Sequence, residues 1–92
     1  MKTNRIVVTV VGKDKVGIIA GVANALADCN ANIIDISQTI MQEFFTMIMM
    51  VDITHCNVDF SSLKELLEQC GQELEVKITA VHEDIFHFMH RI

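Results

Sequence analysis

Tryptophan, tyrosine and proline are all absent from this 92-residue chain, and five phenylalanines supply its whole aromatic content. The hydrophobic core must therefore come from isoleucine, valine, leucine, methionine and alanine. A chain of this length buries only roughly 60–65% of the surface that its unfolded form exposes. Contact with a second copy would add stability, and we expect a homodimer. No linker, repeat or low-complexity segment is visible, so we expect one domain over residues 1–92.

Clusters of positive charge are also missing. The seven lysines and arginines are scattered along the chain, and the formal net charge is −5. Nucleic-acid binding draws its affinity from clustered cations, so we expect no nucleic-acid partner. The valine-rich run near the N-terminus stops at Gly12, too soon to span a membrane, and no small-residue cleavage site follows it. We expect a cytoplasmic protein without a membrane partner.

Cysteines and polar residues give no catalytic constellation. Cys29, Cys56 and Cys70 form no CxxC pair, and their odd number favours reduced, mostly buried thiols. No serine is accompanied by a histidine and aspartate relay. The adjacent Glu83 and Asp84 would point about 100° apart on a helix, so they do not converge on a substrate. We predict that the chain is not an enzyme and needs no cofactor.

Hydrophobic periodicity predicts six elements of secondary structure. Strands are indicated by β-branched runs or by alternation of apolar and polar residues, and helices by apolar residues at helical spacing. In the alternating second strand, Ile34, Ile36 and Ile40 are predicted to share one face. The predicted elements in chain order are a strand over 5–11, a helix from Val16 to about Cys29, a strand over 34–40, a strand over 45–53, a helix starting at Asp59 or Ser61, and a strand over 74–80.

This order, βαββαβ, predicts an α+β protein of the ferredoxin-like class. A four-stranded antiparallel sheet with two helices on one face is the economical way to bury the apolar stripes. Gln42 and Glu43 are predicted to form a hairpin tip between the second and third strands. Gly21 is predicted to let a strand or a second helix approach the first helix closely. A short helical tail follows the last strand.

The loop from Gly12 to Gly17 is the first candidate binding site. Its spacing imitates a phosphate-binding loop, but that motif continues with lysine and then serine or threonine, whereas Ile18 follows here. A zwitterion fits better: amides near Gly17 and Ile18 would hold a carboxylate, and Asp14 would pair with an ammonium group. The alternative is that Asp14 only caps the first helix.

The segment GKDKVGIIAGVANALADCNANIIDIS resembles the opening half of ACT domains, and the element order extends this resemblance over nearly the whole chain. The resemblance implies a dimer that holds an amino acid between two subunits, in contact with Asp14 and Gly17 of one chain and Asn32 of the other. The GKDKVGI form is similar to glycine-cleavage-regulator ACT domains and to small single-domain proteins of unassigned function. Gly12 and Asp14 depart from the serine-sensing members. For Asn32 the alternative is that it finishes the turn before the second strand.

The tail HEDIFHFMHRI carries two competing interpretations. It misses the zinc-helix motif, because Phe86 stands where the second histidine is required. A metal site remains an alternative, with three histidines as candidate ligands: His82, His87 and His90. The other interpretation is an amphipathic helix that docks on the body or on the partner through four apolar residues: Ile85, Phe88, Met89 and Ile92.

Methionines and phenylalanines crowd the predicted hairpin, where they either pack in the core or lie under a dimer contact along the edge strand. The residues concerned are Met41, Phe44, Phe45, Met47, Met49 and Met50.

The first functional hypothesis is a dimeric regulatory module that binds a small molecule, with an amino acid as the expected ligand, and acts on a client enzyme or regulator. The second is a protein-interaction module without a small ligand. A metal sensor is the third.

Overall fold

The computed structural model describes residues 4–85, and the predicted order of elements is confirmed. Four strands and two helices follow one another as βαββαβ. Residues 83–85 begin the short C-terminal helix, and the rest of the tail lies outside the described residues. The elements are β1 (Arg5–Lys13), α1 (Ile18–Asp28), β2 (Asn32–Met41), β3 (Phe44–Asp52), α2 (Phe60–Leu74) and β4 (Val76–His82).

The strands form one antiparallel sheet in the order β2-β3-β1-β4. The β-branched β1 pairs on both sides and occupies the centre, which suits a continuous run of valines. Both helices pack on the same face of the sheet, as the ferredoxin-like prediction requires. The core between the layers is made of aliphatic residues from every element together with Phe45, Met47 and Met49.

The crowded hairpin is divided between core and surface. Phe45, Met47 and Met49 are buried against the helices, so core packing explains them. Met41 and Phe44, which flank the two-residue tip at Gln42 and Glu43, are exposed. Met50 is half-buried on the opposite face of the sheet, so Met41, Phe44 and part of Met50 are available for further contacts.

Strand β2 departs from the predicted alternation. A bulge between Ile33 and Asp35 leaves Ile34 as an extra residue, so Ile33 pairs with the buried Val51 and shares its face. Ile36 keeps the predicted face because it pairs with Met49. The predicted alternation is therefore interrupted at Ile34, whereas Ile36 and Ile40 share one face as predicted. The helices also leave the outer part of β2 uncovered, and Ile40 is 54% exposed.

The ends of α2 resolve two alternatives from the sequence. Asp59, and not Ser61, caps the helix, since its carboxylate accepts a hydrogen bond from the Ser62 amide at 2.8 Å. Leu74 ends the helix and does not begin β4, which corrects its predicted place in the last strand. Glu75 follows in the left-handed conformation with φ 61° and turns the chain into β4.

Two glycines allow the helices to approach their neighbours. Gly21 of α1 faces α2, where an added Cβ would lie 2.8 Å from Leu74 Cδ1. Gly71 of α2 faces β4, where an added Cβ would lie 2.7 Å from the backbone oxygen of Val76. A leucine methyl moves by side-chain rotation, whereas a backbone oxygen in a paired strand does not. Among the described residues, no helix is long and apolar enough to cross a membrane.

Alanine substitutions at these two glycines should therefore differ in sign. Gly71→Ala should lower the free energy of unfolding by about 1–2 kcal/mol, because overpacking against the strand exceeds the gain in helix propensity. Gly21→Ala should be neutral or stabilising by up to about 1 kcal/mol, because Leu74 can give way. Urea unfolding at one protein concentration measures both, and equal losses at the two positions would contradict the packing described here.

Candidate functional site

The turn from β1 into α1 depends on a left-handed glycine. Lys13 ends β1 and Ile18 begins α1, and between them Gly17 adopts φ 94° and ψ −2°. Space is not the constraint, because an added Cβ would meet nothing within 4 Å. The constraint at Gly17 is its backbone conformation, because residues with a side chain rarely adopt a positive φ. Gly17 therefore sets the direction in which α1 starts.

The N-terminus of α1 has no side-chain cap. Gly17 occupies the N-cap position and offers no oxygen, and no acidic residue lies in the first turn. The alternative that Asp14 caps this helix was therefore wrong. In α2, by contrast, Asp59 occupies one of the first-turn amides. The first amides of α1 thus keep their donor capacity and the partial positive charge of the helix end.

Two contacts hold the loop from opposite sides. The Asp14 amide donates to the Glu43 carbonyl of the β2–β3 hairpin at 2.8 Å. The Lys15 ammonium donates to Glu75 Oε1 at 2.5 Å, in the turn between α2 and β4. Its hydrogen bond and charge hold the pKa of Glu75 below its ordinary value. The loop is thereby fixed to the β2–β3 hairpin on one side and to the turn between α2 and β4 on the other. The Asp14 carboxylate has no ion-pair partner within residues 4–85.

An open groove of about 240 Å³ lies between this loop, the start of α1 and the far end of β2. Asp14 and the uncapped first turn of α1 line part of the groove, and apolar residues line most of the rest. Such a groove suits a small amphipathic molecule whose charged head lies at the helix end. The residues that matter here are Asp14, Gly17, Ile19, Gln38, Ile40 and Phe45.

The structure brings most of the predicted site residues together. Asp14, Gly17 and Ile18 line the groove, but the Ile18 side chain points into the core, so it can offer only its backbone. Asn32 begins β2 opposite Asp52, at the other end of the strand from the groove. The turn before it is made by Asn30, which is left-handed with φ 59°.

Sequence reasoning missed Gln38 and Ile40 as groove residues. The signal was present in the hairpin: β3 returns beside β1, so the end of β2 must lie near the end of β1. The pairing of Lys13 with Phe44, and of Phe44 with Met41, shows this directly.

Among the residues that the structure describes, the histidines and cysteines singled out in the sequence are not groove residues. His82 packs edge-on against the Phe60 ring at 5.5 Å between centroids, and His87 and His90 lie outside the described residues. Within residues 4–85, no group of three potential metal ligands comes together. Burial raises the pKa of the Cys29 and Cys70 thiols. The Cys70 thiol donates a weak hydrogen bond to the Gly21 carbonyl at 3.6 Å, and the Cys29 thiol is buried in the core.

Comparison with protein families decides the relationship. The family model described as "ACT domain" matches residues 4–81. The chain belongs to the ACT domain family. A relative in Methanocaldococcus jannaschii, a UPF0237 protein, is 56% identical over 89 residues, which cover 97% of this chain and 99% of the relative. A UPF0237 protein of Listeria innocua is 52% identical over 88 residues, with 96% and 99% covered.

Solved structures agree with the fold of this ACT domain. An ACT domain protein from Streptococcus pneumoniae superimposes with a TM-score of 0.81 at 44% identity, covering 92% of this chain and 96% of that one. A putative glycine cleavage system transcriptional repressor gives 0.76 at 23% identity, covering 89% of this chain and 47% of that one. At that identity the second likeness concerns the fold alone.

The Lys15–Glu75 contact predicts how the pKa of Glu75 should respond to a substitution of Lys15. Lys15→Met should raise the pKa of Glu75 towards its ordinary value, because both the hydrogen bond and the positive charge are lost. Since folding lowers this pKa, the contact stabilises the fold above the pKa of the unfolded state. That contribution is lost as the pH falls through the folded value.

NMR titration of the Glu75 carboxyl carbon measures the change. Lys13→Met is the matched control, because Lys13 lies 3.8 Å from Glu43 and contacts a different carboxylate. A Glu75 pKa that moves equally in both variants would show that general charge, and not this contact, sets it.

Proposed function

We propose that this ACT domain is a non-catalytic regulatory module that binds an amino acid in the groove beside α1 and acts as a homodimer. The observation that carries the proposal is the uncapped N-terminus of α1 opening onto that groove next to Asp14. Family membership supports the coarser part, since ACT domains are commonly regulatory ligand-binding domains. No catalytic step is required of any residue in it.

The two charges of a free amino acid match the two polar features of the groove. The ligand carboxylate would accept hydrogen bonds from amides near Gly17 and Ile18, where the helix end carries about half a positive charge. Its ammonium group would pair with the Asp14 carboxylate, in a charge-assisted hydrogen bond. A ligand with only one of these charges would leave half of the site without a partner.

The side chain of the ligand would meet an apolar wall. Ile19 and Ile40 are both exposed beside the groove, and Phe45 closes it from beneath. Covering their surface favours an aliphatic side chain over the hydroxymethyl group of serine. Gln38 is the one neutral polar side chain available for a further hydrogen bond.

Strand β2 is the natural contact between two copies. It is an edge strand of ten residues, and its exposed isoleucines include Ile36 and Ile40. An exposed apolar edge pairs readily with another strand, and a two-fold axis lets β2 pair antiparallel with its own copy. Pairing centred on the strand would place Asn32 of one copy opposite Met41 of the other.

That arrangement would bring Asn32 of one copy to the groove of the other copy. Within a single chain, Asn32 lies at the opposite end of β2 from the groove. Met41 adjoins the hairpin tip, and Glu43 of the tip is hydrogen-bonded to Asp14. The partner's Asn32 would then lie beside the Asp14 loop and complete the open side of the groove. Binding would link the ligand to the dimer, and any client that distinguishes the two dimer states would respond.

A thermal-shift screen of the twenty amino acids tests the proposal. A ligand at about 100 times its dissociation constant stabilises the folded state by about 2.7 kcal/mol, which raises Tm by more than about 10 °C in a domain of this size. The shift should vanish in Asp14→Ala. It should persist in Asp28→Ala, which removes the same charge from the exposed far end of α1.

Two results would count against it. The first is the absence of a shift with any amino acid at millimolar concentration. The second is an equal loss of the shift in both variants, which would assign the effect to net charge and not to the groove.

A further inference from the structure

One face of the sheet is turned away from both helices, and we call it the open face. It carries Val7, Thr9 and Val11 of β1, which alternate with the core residues of the same strand. Burial falls steadily along this row. Val7 is 1% exposed, Thr9 is half-buried and Val11 is 46% exposed. A face that met only water would not bury one valine completely, so the end of the sheet at Val7 is covered.

The covered end is an apolar row across three strands. Val7 pairs with Val81 of β4 on one side and with Met50 of β3 on the other, and both neighbours are half-buried. Met50 in turn pairs with Asp35 of β2, which is exposed. Neither α1 nor α2 lies on this side. The row Val81–Val7–Met50 therefore needs a covering element other than these helices.

The chain itself leaves the sheet at this end. β4 stops at His82, which pairs with Ile6, and a helix starts at Glu83. The Glu83 carboxylate is 2.7 Å from the guanidinium of Arg5. Arg5 lies two residues before Val7 in β1 and so belongs to the open face. The ion pair thus holds the start of the C-terminal helix on the open side of the sheet.

We propose that residues 86–92, the C-terminal segment, dock on the open face of their own sheet over the row Val81–Val7–Met50. The length is suitable. A helix from Glu83 to Ile92 would be about 15 Å long, and the distance from β4 across to β2 is about 14 Å at three strand spacings. A helix crossing the strands would cover the row from end to end.

The chemistry of the segment matches the surface. Phe88, Met89 and Ile92 fall on one side of a helix and supply apolar side chains for the row. Ile85, at the start of the helix, was also predicted to dock, but it is 54% exposed and takes no part in contact with the sheet. A helix that crosses the sheet would bring its cationic end, with Arg91, towards the exposed Asp35 at the far end of the row. The acidic Glu83 and Asp84 at its start suit the positive end of the helix dipole.

Docking of this kind has a consequence for assembly. With the row sealed, the sheets of two copies cannot stack through this end of the open face, and the β2 edge remains for self-association. Docking of the C-terminal segment does not require a bound ligand, so it would occur whether or not the groove binds an amino acid.

The direct test uses the unmodified full chain. In methyl-resolved NMR, the aromatic protons of Phe86 or Phe88 should show NOEs to methyl groups of Val7, Val81 or Met50. Mixing differently labelled chains separates contacts within a chain from contacts between chains. NOEs found only between chains, NOEs to Ala25 and Leu66 in the groove between α1 and α2, or an absence of long-range NOEs from the segment would each overturn the proposal.

A second measurement uses a matched pair of variants. Met50 is half-buried in the row, and Leu66 is 42% exposed on α2. Met50→Ser should release the segment and speed chymotrypsin cleavage after Phe86 or Phe88 several-fold, whereas Leu66→Ser should leave the rate unchanged. Circular dichroism must first show that both variants are folded. Equal cleavage rates in the two folded variants would contradict docking on the open face.

Discussion

The structure depends on a left-handed turn at Gly17. Because the chain reverses there with φ 94°, α1 starts beside the ends of β1 and β2, and no side chain within residues 4–85 caps its first amides. An uncapped helix end is costly unless water or a ligand satisfies its donors. Asp14 lines the same groove as Gly17 and Ile18. The proposed site for one negative and one positive charge therefore depends on the backbone conformation of Gly17.

The groove and the edge strand belong together. The Asp14 amide is tied to the hairpin through Glu43, and the hairpin continues β2, whose outer side is unpaired. A copy that pairs with β2 would therefore also touch the groove. The opposite side of the loop is tied to Glu75 through Lys15, so displacement of the loop would reach the turn between α2 and β4. Under the proposed function, these two contacts would connect ligand binding to both the dimer contact and the helix layer.

Periodicity in the sequence predicted the six elements and the ferredoxin-like order because β-branched runs and helical stripes reflect the two periods of the backbone. The prediction from periodicity failed where a single residue interrupts the alternation of a strand or fits two kinds of element. The bulge at Ile34 interrupts the alternation at the start of β2 and brings Ile33 to the face of Val51, and Leu74 fits a helix as well as a strand. The exposure of Ile40 depends on how far the helices reach over the sheet, which is a property of packing. The loop from Gly12 to Gly17 was singled out by its glycine spacing and by the resemblance to ACT domains, but only the three-dimensional structure shows that Asp14 leaves α1 uncapped.

The central claim is that the site is shared between two copies, and mixed dimers test it most directly. Chains carrying Asp14→Ala and chains carrying Asn32→Ala are unfolded and refolded together, and ligand binding is measured by calorimetry. Each mixed dimer would have one site with both substitutions and one intact site. Binding absent from each variant alone should then return at about one quarter of the original number of sites, as random two-fold pairing requires. No recovery on mixing, or full binding by Asn32→Ala alone, would contradict a site built from both chains.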